Sequence, residues 1–69
     1  MNGDSDRIIA AMEAEAAARE RQRMIGEEIQ NVFRRRGKPT PEQISSLRES
    51  TVAFMEAGRR LVEALDGKE

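Results

Sequence analysis

The chain has no cysteine, histidine, tryptophan or tyrosine, and its 69 residues include only two prolines and two phenylalanines. Each shortage closes a class of structure or function. Without cysteine no disulfide can brace the fold, and with histidine also missing a structural metal has no ligand set, so neither metal nor cofactor is expected. With Phe33 and Phe54 as the only aromatics, almost nothing is available for stacking on exposed bases, which disfavours single-strand nucleic-acid binding. A glycine-rich phosphate loop is missing too, and carboxylates alone, however plentiful, do not make an acid–base site, so the chain is not expected to be an enzyme. No apolar run approaches the roughly 18 residues that a membrane-spanning helix requires. Met1 to Asp6 has neither a basic n-region nor an apolar h-region, so secretion is not signalled, and the cysteine-free composition suits a reducing cytoplasm.

What the chain does have is charge and helical periodicity. Charged residues make up 36% of it, with a net charge of only -1. They are unevenly placed: Met1–Ala18 sums to -3, Arg19–Lys38 to +4 and Pro39–Glu69 to -2. In the second half, Ile44, Leu47, Thr51, Phe54, Gly58, Leu61 and Leu65 alternate steps of three and four, the pattern of one side of a long packed helix. Glu42, Glu49, Glu56 and Glu63 recur every seven residues on another side and read as an outward acidic ridge, with Glu56 and Arg60 spaced for an ion pair.

Local chemistry sets the expected ends of the helices. Asp4 or Ser5 is suited to cap a first helix over 5–36, with residues before it frayed, and Arg34, Arg35 and Arg36 favour its C-terminal dipole. Gly37 is read as the left-handed residue that stops it. The connection is 37–40. Thr40-Pro41-Glu42-Gln43 then makes a capping box with proline at N1, opening a second helix over 41–66 that Gly67 ends. A connection this short folds the helices back on each other, so residues 1–69 are expected to form one all-α domain, an antiparallel two-helix hairpin.

The first helix is apolar at both ends, with Ile8, Ile9 and Met12 near its start and Ile25, Ile29, Val32 and Phe33 near the turn. Its centre is alanine-rich and then polar on every side from Arg19 to Arg23. The second helix carries Val52, Met55 and Val62 beside its heptad stripe, an apolar surface wider than one neighbour covers. A core this small rarely contributes more than about 3 to 5 kcal/mol, so two hairpins are expected to pair as a homodimeric four-helix bundle. The residues assigned to core or dimer packing are Ile25, Ile29, Val32, Phe33, Ile44, Leu47, Phe54, Gly58, Leu61 and Leu65. Candidate partner-binding residues are Arg19, Arg23, Arg34, Arg35 and Arg36, together with Glu42, Glu49, Glu56 and Glu63; Arg19 and Arg23 can also pair with Glu15, Glu20 or Glu27 at helical spacing.

With its Gly37-Lys38-Pro39-Thr40-Pro41 turn and lack of reactive groups, the chain resembles small regulators encoded by phages and plasmids. In general build it is similar to the plasmid RNA-binding hairpin Rop. In length and character it more closely resembles the phage-encoded anti-activators of quorum sensing from Pseudomonas phages, small helical dimers that bind a LuxR-type regulator. That resemblance rests on length and build and assigns no residue a role. It implies an inhibitory contact with a host transcription regulator in the host cytoplasm, and a second contact with the type IV pilus assembly ATPase. The alternatives are a Rop-like RNA or DNA binder using Arg19, Arg23 and Arg34 to Arg36, and a structural scaffold or chaperone subunit.

Overall fold

The computed structural model describes residues 2–67, without the side chains of Asn2 and Asp4. It is an antiparallel helical hairpin of two elements, α1 (Asn2–Arg34) and α2 (Pro41–Asp66), with no strand among the described residues. The hairpin is a rod of 54 × 14 × 14 Å with a radius of gyration of 15.5 Å, whereas a globular chain of this length would have about 11 Å. Among the described residues no helix is long and apolar enough to cross a membrane.

The connection is fixed by hydrogen bonds that the sequence encodes locally. At the start of α2 the Thr40 hydroxyl accepts from the Gln43 amide at 3.1 Å, and the Gln43 side chain accepts from the Thr40 amide at 2.9 Å. Pro41 occupies the first turn, where its missing N–H costs nothing. Gly67 closes α2 in the left-handed region, φ 72°, donating to the carbonyls of Ala64 and Glu63. Both ends of α2 are therefore where the sequence puts them.

The ends of α1 differ from expectation. Asp4 and Ser5 lie inside the helix, which is already formed at Asn2; they do not cap it, and Met1 is outside the described residues. At the other end α1 stops at Arg34, and the left-handed residue is Arg36, φ 61°, not Gly37. The Arg36 amide donates to Phe33 at 2.9 Å and the Gly37 amide to Val32 at 2.9 Å, the paired bonds of a Schellman stop. Glycine serves a different purpose here. A Cβ at residue 37 would come within 3.3 Å of both Val32 Cγ1 and the Val32 carbonyl oxygen, so Gly37 lets the chain cross closely over the end of α1.

The seam between the helices follows from which side chains lose exposure. On α1 the half-buried residues Ile8, Ala11, Glu15, Ala18, Gln22, Ile25, Ile29 and Val32 step by three and four, and on α2 Gln43, Leu47, Ser50, Phe54, Ala57, Leu61 and Ala64 do the same. The Gln43 side-chain Nε2 donates to Glu28 across the seam at 3.1 Å and anchors the antiparallel register. That register sets Ser50 opposite Gln22 and Phe54 opposite Ala18. No apolar side chain is fully buried; among the described residues only Ser50 is, at 1% exposure, its hydroxyl donating to the Leu47 carbonyl at 2.9 Å.

The α2 stripe read from the sequence is thus divided. Leu47, Phe54 and Leu61 enter the seam, while Ile44 and Leu65 stand 44% and 61% exposed on its flank, with Thr51 and Gly58 half-buried on the same flank. On α1, Ile25, Ile29 and Val32 are in the seam, and Phe33 is exposed. Helix α1 also overhangs its partner: Gly67 lies near Arg7 and Ile8, so residues 2–6 project past the end of α2.

Candidate interaction surface

Every large side chain that the seam leaves out must lie on one of two broad faces or on the outer edges. A residue one position after a seam residue turns about 100° from the seam. Because the helices run in opposite directions, these following positions lie on the same side of the hairpin in both. On α1 they are Ile9, Met12, Ala16, Arg19, Arg23, Gly26, Gln30 and Phe33; on α2, Ile44, Arg48, Thr51, Met55, Gly58, Val62 and Leu65. Seven of the nine exposed large apolar side chains among the described residues are in this set, and it contains no Asp or Glu.

The preceding positions make the opposite face. It carries Arg7, Ala10, Ala14, Ala17, Arg21, Met24, Glu28 and Asn31 from α1 and Glu42, Ser46, Glu49, Ala53, Glu56, Arg60 and Glu63 from α2. A shallow groove runs along it between the helices, floored by alanines including Ala11, Ala18 and Ala57 and flanked by Arg7, Glu56 and Arg60. Small side chains explain the groove, since alanine lets the two backbones approach without filling the space above them. The acidic ridge expected from the seven-residue repeat is here, one wall of a charged face.

The candidate arginines fall into two groups. Arg19 and Arg23 are tied to their own helix: Arg19 donates to Glu15 at 2.6 Å, while Arg23 bonds Glu20 at 2.5 Å and also Glu27. Glu15 is a seam residue, with its side chain only 16% exposed, so Arg19 covers a carboxylate that the seam partly shields from water. The hydrogen bonds hold the Glu20 carboxyl below its ordinary range and the Arg19 and Arg23 guanidiniums above theirs. Arg34, Arg35 and Arg36, with Lys38, are exposed at the turn and make no ion pair among the described residues. They complement the carbonyl end of α1 and form a basic tip.

The anticipated Glu56–Arg60 pair is not made. Both side chains flank the alanine groove, and the ion pair on this part of α2 is Arg59–Glu63 at 3.0 Å. Sequence reading also passed over Ser50, Gln22 and Glu15 as seam residues, because small and polar side chains give no hydrophobic signal. Their three-and-four spacing was the available clue.

The described residues contain no group of three or more acidic side chains placed to hold a metal ion, and the grooves are open to solvent on one side. No protein-family model, curated protein or solved structure matches the chain.

Proposed function

We propose that this chain is a small non-enzymatic protein-binding regulator, an inhibitor that seats on a host regulatory protein and blocks it. The observation that carries this reading is where the apolar side chains of the described residues are: none is fully buried, and nine large ones are exposed. Such a molecule acts by what its outside touches. The resemblance to phage anti-activators narrows the partner to a LuxR-type quorum-sensing transcription factor in the host cytoplasm, with the type IV pilus assembly ATPase as a second target. The glutamate face suits the first of these, because a line of carboxylates roughly 30 Å long complements the basic surface with which a DNA-reading domain holds its duplex.

Calorimetric titration of the purified hairpin into a purified LuxR-type regulator and into the pilus ATPase tests the reading. Binding is expected, and reversing Glu42, Glu49, Glu56 and Glu63 to lysine should abolish it for the transcription factor. Absence of heat with both partners, repeated as absence of co-elution, removes the reading.

A Rop-like nucleic-acid contact is the second reading, and the basic tip favours it. Arg19 and Arg23 add little, since their guanidiniums already serve neighbouring carboxylates. A tip that grips phosphates predicts RNA or DNA affinity falling steeply as salt rises; a gel shift absent at low salt discards it.

A further inference from the structure

The carboxylate-free face is uneven along its length, and that unevenness indicates what covers it. At the open end of the hairpin, Ile9, Met12, Met55, Gly58, Val62 and Leu65 form a continuous apolar patch, all five large side chains more than half exposed and Met55 the most, at 67%. Towards the middle, Arg19, Arg23 and Arg48 form a basic belt across both helices. Nearer the turn the face becomes apolar again with Phe33 and Ile44. We infer that a second copy of this chain covers the open-end patch, about a two-fold axis through the patch, so that the two hairpins overlap at their open ends and their basic tips point apart.

Area, charge and shape each support this occupant. The chain exposes 5544 Å², whereas a compact monomer of 7.8 kDa exposes only about 4,400 Å². The difference exceeds the roughly 800 Å² per partner of a standard stable interface. Charge selects the register. Full-length overlap of two identical faces would set one arginine belt against the other, with Arg48 the member that makes no ion pair among the described residues. An axis through the open end instead carries each belt to the other copy's helix ends, where Asp6 and Asp66 lie. In this arrangement α1 of one copy lies on α1 of the other and α2 on α2, and Val62 of the second copy comes over Gly58. A Cβ built on Gly58 meets nothing within 4 Å in the single hairpin; the glycine leaves a gap that only a second molecule fills.

Gly26 supplies the control. It lies on the same face, a Cβ there also meets nothing within 4 Å, and it falls beyond the overlap. In the isolated hairpin Gly26→Ala and Gly58→Ala should both raise helix stability to the same degree. In the paired molecule they should diverge. Light scattering across a dilution series is expected to give twice the 7.8 kDa chain mass for the wild type and for Gly26→Ala, while Gly58→Ala weakens dimerisation by roughly tenfold or more with helicity retained by circular dichroism. A wild type that stays monomeric at about 100 µM, whether or not it binds another protein there, overturns the inference. Gly58→Ala dimerising as tightly as Gly26→Ala also overturns it, and so does loss of dimer in both variants, which would indicate full-length overlap. The result is independent of whether a regulatory protein binds, because it is read from the purified chain alone.

Discussion

The two broad faces of this hairpin contain the same number of helix positions and share no chemistry. The face that follows the seam holds seven exposed large apolar side chains and no carboxylate; the face that precedes it holds Glu28, Glu42, Glu49, Glu56 and Glu63 and one large apolar residue, Met24. Amphipathic helices usually divide into an inside and an outside. Here the seam holds no more large apolar side chains than the open face, seven each, and has Glu15, Gln22, Gln43 and Ser50 among its other positions; the stronger contrast lies between two solvent-facing sides. A rod of two helices has too little interior to satisfy its apolar residues, so the sequence collects them on one flank and keeps the other charged.

The seam is where this comparison breaks most violently. Phe54 is its largest side chain and faces Ala18, which cannot fill the space left by truncation. Phe54→Ala is expected to remove about 3 kcal/mol, which approaches all that a core of this size contributes. Loss of most helical signal at 25 °C in circular dichroism is the outcome expected; a cooperative melt little changed from wild type would show that the seam does not hold the hairpin.

Val62→Glu sharpens the contrast by giving the apolar face one carboxylate. In the single hairpin Val62 is 57% exposed, so the substitution should alter intrinsic stability by no more than about 0.5 kcal/mol. Its larger effect is on association. Sedimentation should give a monomer, and the melting temperature should no longer depend on protein concentration. A concentration-dependent melt that survives the change would move the interface off this face.

Much of this architecture was legible in the sequence, and the parts that were not share a cause. Thr40, Pro41, Gln43 and Gly67 act on backbone groups within three or four residues of themselves, so both ends of α2 could be read directly. The α1 stop lies two residues earlier than the sequence pattern predicts, because the pattern points to glycine as the left-handed position, whereas Arg36 adopts it and Gly37 is needed for its missing Cβ. The stripe on α2 is divided because hydrophobic periodicity adds together two flanks: Leu47, Phe54 and Leu61 turn to the seam, Ile44 and Leu65 to the open face. Only the position of α1 separates them. Gln43 shows the limit from the other side, since its capping role was visible and its bond across to Glu28 was not.

Arg36 offers a test that touches neither face. A non-glycine residue in the left-handed region costs roughly 1 to 2 kcal/mol, so Arg36→Gly should stabilise the hairpin by about 1 kcal/mol and raise its midpoint by about 4–8 °C, at the expense of one cation in the basic tip. If stability falls instead, the arginine side chain contributes a contact that outweighs the backbone strain.

The smallest effects belong to the glutamate face and the ion pairs, and they complete the contrast. Glu49→Gln should leave the melt within about 0.5 kcal/mol of wild type, because the carboxylate is solvated and unpaired. Acid should act mainly through paired groups. Arg23 holds the Glu20 carboxyl below its ordinary range, and a carboxyl depressed on folding contributes stability that is present above its unfolded pKa and is lost as pH falls through the lower folded value. Helicity should therefore stay level from neutral pH to about pH 5 and decline only below about pH 4, with Arg23→Gln flattening that decline. A transition centred near neutral pH would contradict the assignment, since the chain has no histidine to titrate there.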